Sequence, residues 1–217
     1  NTNASSKPSQ EQIINQAFKF HSQGNISEAA KYYQYFINQG FKDHRVFSNY
    51  GVILKDLGNL KEAEIATRKA IELKPDLIDL NYNLGNILKD LGNLKEAAFY
   101  TRKAISLKSN FAEAHYNLGN ILIEMDQLKE AEIATRKAIS LNSKYAEAYY
   151  NLGKIMINLG KSKEAEIATL KAIEIKPDFA NAYNNLGTIL LGLGQLKKAE
   201  MAIRKAITIK PDYTIAY

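Results

Sequence analysis

The chain repeats itself every 34 residues without a gap, in six in-phase units covering 10–43, 44–77, 78–111, 112–145, 146–179 and 180–213. Asn83-Leu84-Gly85-Asn86 in the third unit is answered by Asn117-Leu118-Gly119-Asn120 in the fourth, and Lys103-Ala104-Ile105 by Lys137-Ala138-Ile139. A repeat of this length specifies an elongated stack in which each unit touches only its neighbours. Such a chain offers a long surface and no obvious closed pocket for chemistry.

Within a unit, positions are numbered from 1. In 78–111, Leu84, Ile87, Leu88 and Leu91 recur at spacings of three and four, which makes one face of a helix, A. Gly at position 15 (24, 58, 92, 160 and 194, with Asp126 the exception) ends it, because a left-handed residue costs least without a Cβ. A second helix, B, follows with Leu94, Ala97, Ala104, Ile105 and Leu107 inward. Pro75, Pro177 and Pro211 at position 32 stop it, and Ser109 and Ser143 replace proline in the middle units. Position 8 is Gly in five units (51, 85, 119, 153 and 187), and position 20 is Ala in all six. A mid-helix Gly costs about 1 kcal/mol relative to Ala, so a larger side chain at position 8 is expected to strike the facing helix.

Composition enters mainly by exclusion. No apolar run is long enough to span a bilayer, no signal peptide is visible, and a cytoplasmic location is the expectation. With no cysteine there are no disulfides or thiolate sites. Residues 1–9 are polar and expected to be a flexible tail.

Leu-Gly at positions 7 and 8, Ala at 20 and 27, and Pro at 32 resemble the tetratricopeptide repeat, over residues 10–213. The stretch Asn83-Leu84-Gly85-Asn86-Ile87-Leu88-Lys89, with Lys176-Pro177-Asp178-Phe179 closing a unit, is most similar to the repeats preceding the catalytic region of O-linked N-acetylglucosamine transferases. The resemblance implies an all-α fold, a right-handed superhelix of six helix-turn-helix repeats. Helix A would line its inner face and helix B its outer face, and the usual work would be to hold short segments of other proteins. No transferase region is present, so no activity carries over.

In such a superhelix positions 2, 5, 6, 9, 12 and 13 are expected to face the groove. Position 6 is Asn in every unit: Asn15, Asn49, Asn83, Asn117, Asn151 and Asn185. A carboxamide both donates and accepts, so it can pair with peptide backbone whatever the side chain attached. The resemblance implies the same, through an asparagine ladder. The other reading is that these amides bridge neighbouring helices. Helices pack about 8–10 Å apart and an extended strand rises about 3.3 Å per residue, so one rung meets roughly every third residue. At about 0.5–1.5 kcal/mol per net hydrogen bond, micromolar affinity is expected. Tyr82, Tyr116 and Tyr150 at position 5 are expected to form a shelf for apolar side chains or to pack within the stack. Position 12 changes from His21, Lys55 and Lys89 to Ile123, Ile157 and Leu191, which suits a ligand with one polar and one apolar end. Chaperone-tail repeats with a carboxylate clamp need basic residues at positions 2, 5 or 6. Here these are mainly acidic, Tyr and Asn, which disfavours that partner class.

On helix B, position 22 lies opposite position 20 and carries Ile65, Phe99, Ile133, Ile167 and Met201. Either these form an exposed apolar stripe, for a second binding surface or a self-association seam, or the Thr at position 24 (67, 101, 135 and 169) signals a rotated helix that partly buries them. Positions 18, 25 and 26 supply 14 of the 29 cations, interleaved with acids at 19 and 21, a pattern of solvated faces. The net charge of +6 lacks aromatic partners for base stacking, so neither nucleic acid nor membrane is an expected partner.

His21, His44 and His115 fall in different units, and there is no phosphate-binding loop. No enzyme, cofactor or metal is expected. The first unit is degenerate, as caps are. Residues 214–217 read as the start of a truncated seventh repeat, which leaves Ile203 and Ile207 partly uncovered and suggests a fragment of a longer protein. Two functions remain open. The favoured one is a scaffold binding an extended peptide of a partner protein. The alternative is an oligomerisation element, self-associating through 203–217 or the outer face, or a substrate-recruiting region of a larger enzyme.

Overall fold

The computed structural model describes residues 8–211. The expected tail lies outside them up to residue 7, and the expected start of a seventh repeat lies wholly outside, as does the part of the expected self-association segment beyond 211. The described chain is all-α. Its helices are α1 (Gln10–Ser22), α2 (Ile26–Asn38), α3 (His44–Asp56), α4 (Leu60–Leu73), α5 (Ile78–Asp90), α6 (Leu94–Leu107), α7 (Ala112–Glu124), α8 (Leu128–Leu141), α9 (Ala146–Asn158), α10 (Ser162–Ile175), α11 (Ala180–Gly192) and α12 (Leu196–Ile209). Odd helices are the expected A and even helices the expected B, each packed on its pair mate. Two compact units divide the chain, one up to Leu107 with α1–α6 and one from Lys108 with α7–α12.

The turn from A to B is built as the glycines imply. Gly58 sits at φ +80° and Asp126, the one exception, at φ +57°. The last-turn carbonyls are closed locally, as where Gly58 N–H donates to Lys55 O at 2.9 Å and Asn59 N–H to Leu54 O at 2.8 Å. Proline proves unnecessary for ending helix B. α6 and α8, which lack it, stop at the same repeat position as α4 and α10. The residue after the helix is extended with or without a following proline (Lys74 φ −145°, Asn142 φ −138°).

Pairing within a hairpin rests on small residues. Ala63, Ala97, Ala131, Ala165 and Ala199 at position 20 are fully buried, as is Ala at position 27 from 70 to 206. A Cβ added to Gly51 would meet Thr67 Oγ1 at 2.6 Å, and one on Gly85 or Gly119 would meet the Thr101 or Thr135 hydroxyl oxygen at 2.5 Å. Position 24 is therefore Thr because it faces position 8, and helix B turns positions 20, 23, 24 and 27 inward. Position 22 then points out. Ile65, Phe99, Ile133, Ile167 and Met201 are 60–71% exposed. The rotated-helix reading is thus overturned. Leu107, expected inward, is 37% exposed at the last turn of α6.

Helix A starts differently along the chain. Ser9 caps α1 in a capping box with Gln12, and Asp43 caps α3 through Arg45 N–H at 2.8 Å. Leu77, Tyr145 and Phe179 precede α5, α9 and α11 without a side-chain cap. Two of them pack on the preceding helix A instead. Tyr145 stacks on Tyr116 at 4.8 Å between ring centroids, and Phe179 on Tyr150 at 5.1 Å. No described helix is long and apolar enough to cross a membrane.

Candidate functional site

The helix-A face of the first unit holds a cleft of about 450 Å³ between α3 and the start of α5, with Phe18 of α1 at one side. His44, Arg45, Ser48, Asn49 and Asp79 line it. A smaller hollow of about 260 Å³ adjoins Phe18, His21, Ser22 and Asn49. Beneath them lies Tyr33 of α2, fully buried. Its hydroxyl accepts from Asn49 Nδ2 at 3.2 Å and shares a hydrogen bond with His21 Nδ1 at 3.0 Å. Burial pushes the Tyr33 phenol pKa up, and the Asn49 bond offsets part of that. The Arg45 guanidinium lies 5.4 Å from the Phe18 ring centroid. Asp43 takes two further bonds from the same guanidinium, at 2.8 and 3.1 Å. The Arg45 bond holds the Asp43 carboxyl below the usual carboxylate range. The cleft therefore offers an aromatic side wall, a fixed cation and an amide whose carbonyl oxygen is left to accept.

In the second unit the helix-A face presents a ledge of paired rings, Tyr116 with Tyr145 and Tyr150 with Phe179. Cations sit over it. Lys154 Nζ is 5.7 Å from the Tyr150 centroid, and Lys176 Nζ is 5.0 Å from that of Phe179 and 3.2 Å from Glu147.

The predicted asparagines divide. Asn15 is exposed, and Asn49, Asn83, Asn117 and Asn185 are half-buried. Asn151 is only 4% exposed, and its Nδ2 donates to Asn120 of the preceding helix A. Asn185 Nδ2 reaches back to Thr169 of α10 at 3.3 Å. Three of the six amides thus hold the unit before them, which is the bridging reading. Of the remaining predicted residues, Tyr82, Tyr116, Tyr150, Lys55, Lys89, Ile123 and Ile157 are all half-buried. Lys89 lies 3.5 Å from Asp90. The tyrosines of the second unit pack within the stack while keeping part of each ring in solvent.

Sequence reasoning missed Phe18 and Arg45, which shape the cleft. Arg45 was legible as the basic exception at position 2, but nothing local said that it would lie on Phe18. The most buried amide is Asn81 at position 4, whose Nδ2 donates to Pro75 O at 2.9 Å and Leu77 O at 2.8 Å. His115 repeats that contact one unit on, its ring Nε2 donating to Ser109 O at 3.0 Å. In these two repeats position 4 is thus a fastening to the inter-repeat linker. Among the described residues no cluster of His, Asp and Glu has the geometry to hold a metal ion.

Comparison with known proteins agrees with this construction. Tetratricopeptide-repeat sequence models match residues 44–77, 112–145, 134–167 and 168–201, and one described as a TPR repeat matches 85–126. Together these cover more than half of the chain. The crystal structure of MamA is similar at 31% identity and TM-score 0.69, over 74% of this chain and 94% of that one. YrrB, described as a TPR protein with an unusual peptide-binding site, is similar at 28% identity and TM-score 0.68, over 85% of this chain and 95% of that one. A tetratricopeptide repeat protein from Parabacteroides merdae shares the fold at 20% identity and TM-score 0.79, over 92% of this chain and 79% of that one. No curated protein sequence matches. With its hairpins, its glycine turns and these matches, the chain belongs to the tetratricopeptide repeat family.

Proposed function

We propose that the chain is a non-catalytic scaffold that binds an extended peptide segment of a partner protein on its helix-A face. One observation carries the reading: the cleft of about 450 Å³ in the first unit contains a predicted amide, Asn49, beside an aromatic side wall and a fixed cation. The half-buried tyrosine ledge of the second unit supports it, because rings held by packing give contact area at little entropic cost. The likeness to YrrB points the same way. The asparagine pattern, which resembles that of the O-linked N-acetylglucosamine transferase repeats, is kept in reduced form. Asn83 has no hydrogen-bond partner among the described residues and is the rung best placed for a ligand. Asn151 serves the stack.

The test is fluorescence anisotropy with a peptide selected on this protein from a random library. Ser48→Trp fills the cleft, and Asn83→Ala removes an amide without breaking an internal bond. We expect Ser48→Trp to weaken binding about tenfold or more and Asn83→Ala by a few fold, about one hydrogen bond's worth. Unchanged affinity in both variants, with unchanged melting, contradicts the reading.

The outward position-22 residues favour a second reading, an assembly element that associates through the helix-B face. Sedimentation at micromolar concentration separates the two, since a strict monomer removes the assembly reading.

A further inference from the structure

The helix-B face carries its own bridge between repeats. Arg68 at position 25 bonds Glu64 one turn back at 2.9 Å and Glu96 of the next helix B at 2.8 Å. Arg136 does the same with Glu132 at 2.8 Å and Glu164 at 3.3 Å. Between α10 and α12 both ends of that bridge are replaced. Leu170 stands where the arginine is, and Lys198 where the glutamate is. Glu166, the residue one turn back, has no ion-pair partner among the described residues. The place between the two helices is a cleft of about 530 Å³. Leu186 and Leu190 of α11 lie against it, with Leu170 and Met201 on its walls, 46% and 70% exposed. Lys198 and Lys205 flank Met201 along α12, which carries four cations against the single acid Glu200.

We infer that this cleft is a second docking site, distinct from the helix-A face, for a partner protein's segment carrying one or two large apolar side chains flanked by acidic residues. Losing the Arg–Glu bridge leaves apolar surface with nothing across it. The charge that remains is basic on the α12 wall, at Lys198 and Lys205, and acidic on the α10 wall, at Glu166, so the complementary segment sets its acidic flank toward α12. A second copy docking the same face would set one lysine row against another, which disfavours it. From Lys198 to Lys205 the wall is about 10 Å long at 1.5 Å rise per residue, room for two helical turns or about three extended residues.

The test restores the missing bridge. In Leu170→Arg/Lys198→Glu the new arginine meets Glu166 on its own helix and the new glutamate on the next, as in the earlier repeats. A random peptide library is depleted on this double variant and then selected on the wild-type protein. The expected survivors carry an aliphatic or aromatic residue beside Asp or Glu. They bind wild type about tenfold or more tighter than the double variant, and weaken as ionic strength rises. Met201→Arg repeats the comparison at an exposed position on which folding does not depend, and is expected to lose the same peptides. No survivors, survivors without acidic residues, or survivors that bind all three proteins equally overturn the inference. So does a wild-type dimer that both substitutions abolish, since it gives the cleft to a second copy.

Discussion

At the scale of single residues, the contact between positions 8 and 24 sets how closely the two helices of a hairpin approach. Gly85→Ala puts a methyl 2.5 Å from the Thr101 hydroxyl and 3.3 Å from Ala97 O, on a backbone fixed by its own helix. A destabilisation of about 1–3 kcal/mol is expected, although alanine is the better helix former. Gly192 has nothing within 4 Å of its added Cβ, and Gly192→Ala is expected to stabilise by up to about 1 kcal/mol. Denaturant unfolding of both variants tests the pair, and equal effects contradict the packing account. Asp43 supplies a pH prediction. Its folded-state pKa is lowered by the Arg45 bond, so its contribution is complete above the ordinary carboxylate range and is lost as pH falls through the lowered value. Asp43→Asn keeps a capping oxygen and removes that titration, so its melting temperature is expected to fall less than the wild type's on acidification. Parallel curves contradict this.

At the scale of helices and turns, the same hairpin is closed in different ways. The A-to-B turn is decided by one left-handed residue, and Asp126 fills at φ +57° a place that glycine holds elsewhere. Asp126→Gly is expected to raise stability by up to about 1 kcal/mol, since the Cβ strain goes and the Asp126 carboxylate has no hydrogen-bond or ion-pair partner among the described residues. A lower melting temperature contradicts it. Turns of this kind are legible in sequence because their cause is local. The entry to helix A is less so. Tyr145 and Phe179 carry no capping side chain and lie on rings a full helix earlier, which no window around them reveals. Position 22 was undecidable for a related reason. Which face helix B buries depends on the glycine opposite its threonine, and that pairing is known only once the helices are placed.

At the scale of the whole molecule, the repeat itself carried the fold, because a 34-residue period with matching small residues admits few arrangements. The candidate site was less legible. An asparagine at position 6 presents the same side chain in every unit, yet its direction depends on what the previous unit offers: the Tyr33 hydroxyl for Asn49, Asn120 for Asn151 and Thr169 for Asn185. Under the proposed function, recognition on the helix-A face would therefore rest on clefts and ring ledges more than on a uniform row of amides. The most direct test is amide-resolved NMR mapping of a peptide selected on the Leu170→Arg/Lys198→Glu variant, which takes the helix-B cleft out of play. Binding on the helix-A face predicts shifts on odd-numbered helices, strongest near Phe18, Ser48 and Asn49. Shifts confined to the even-numbered helices contradict it.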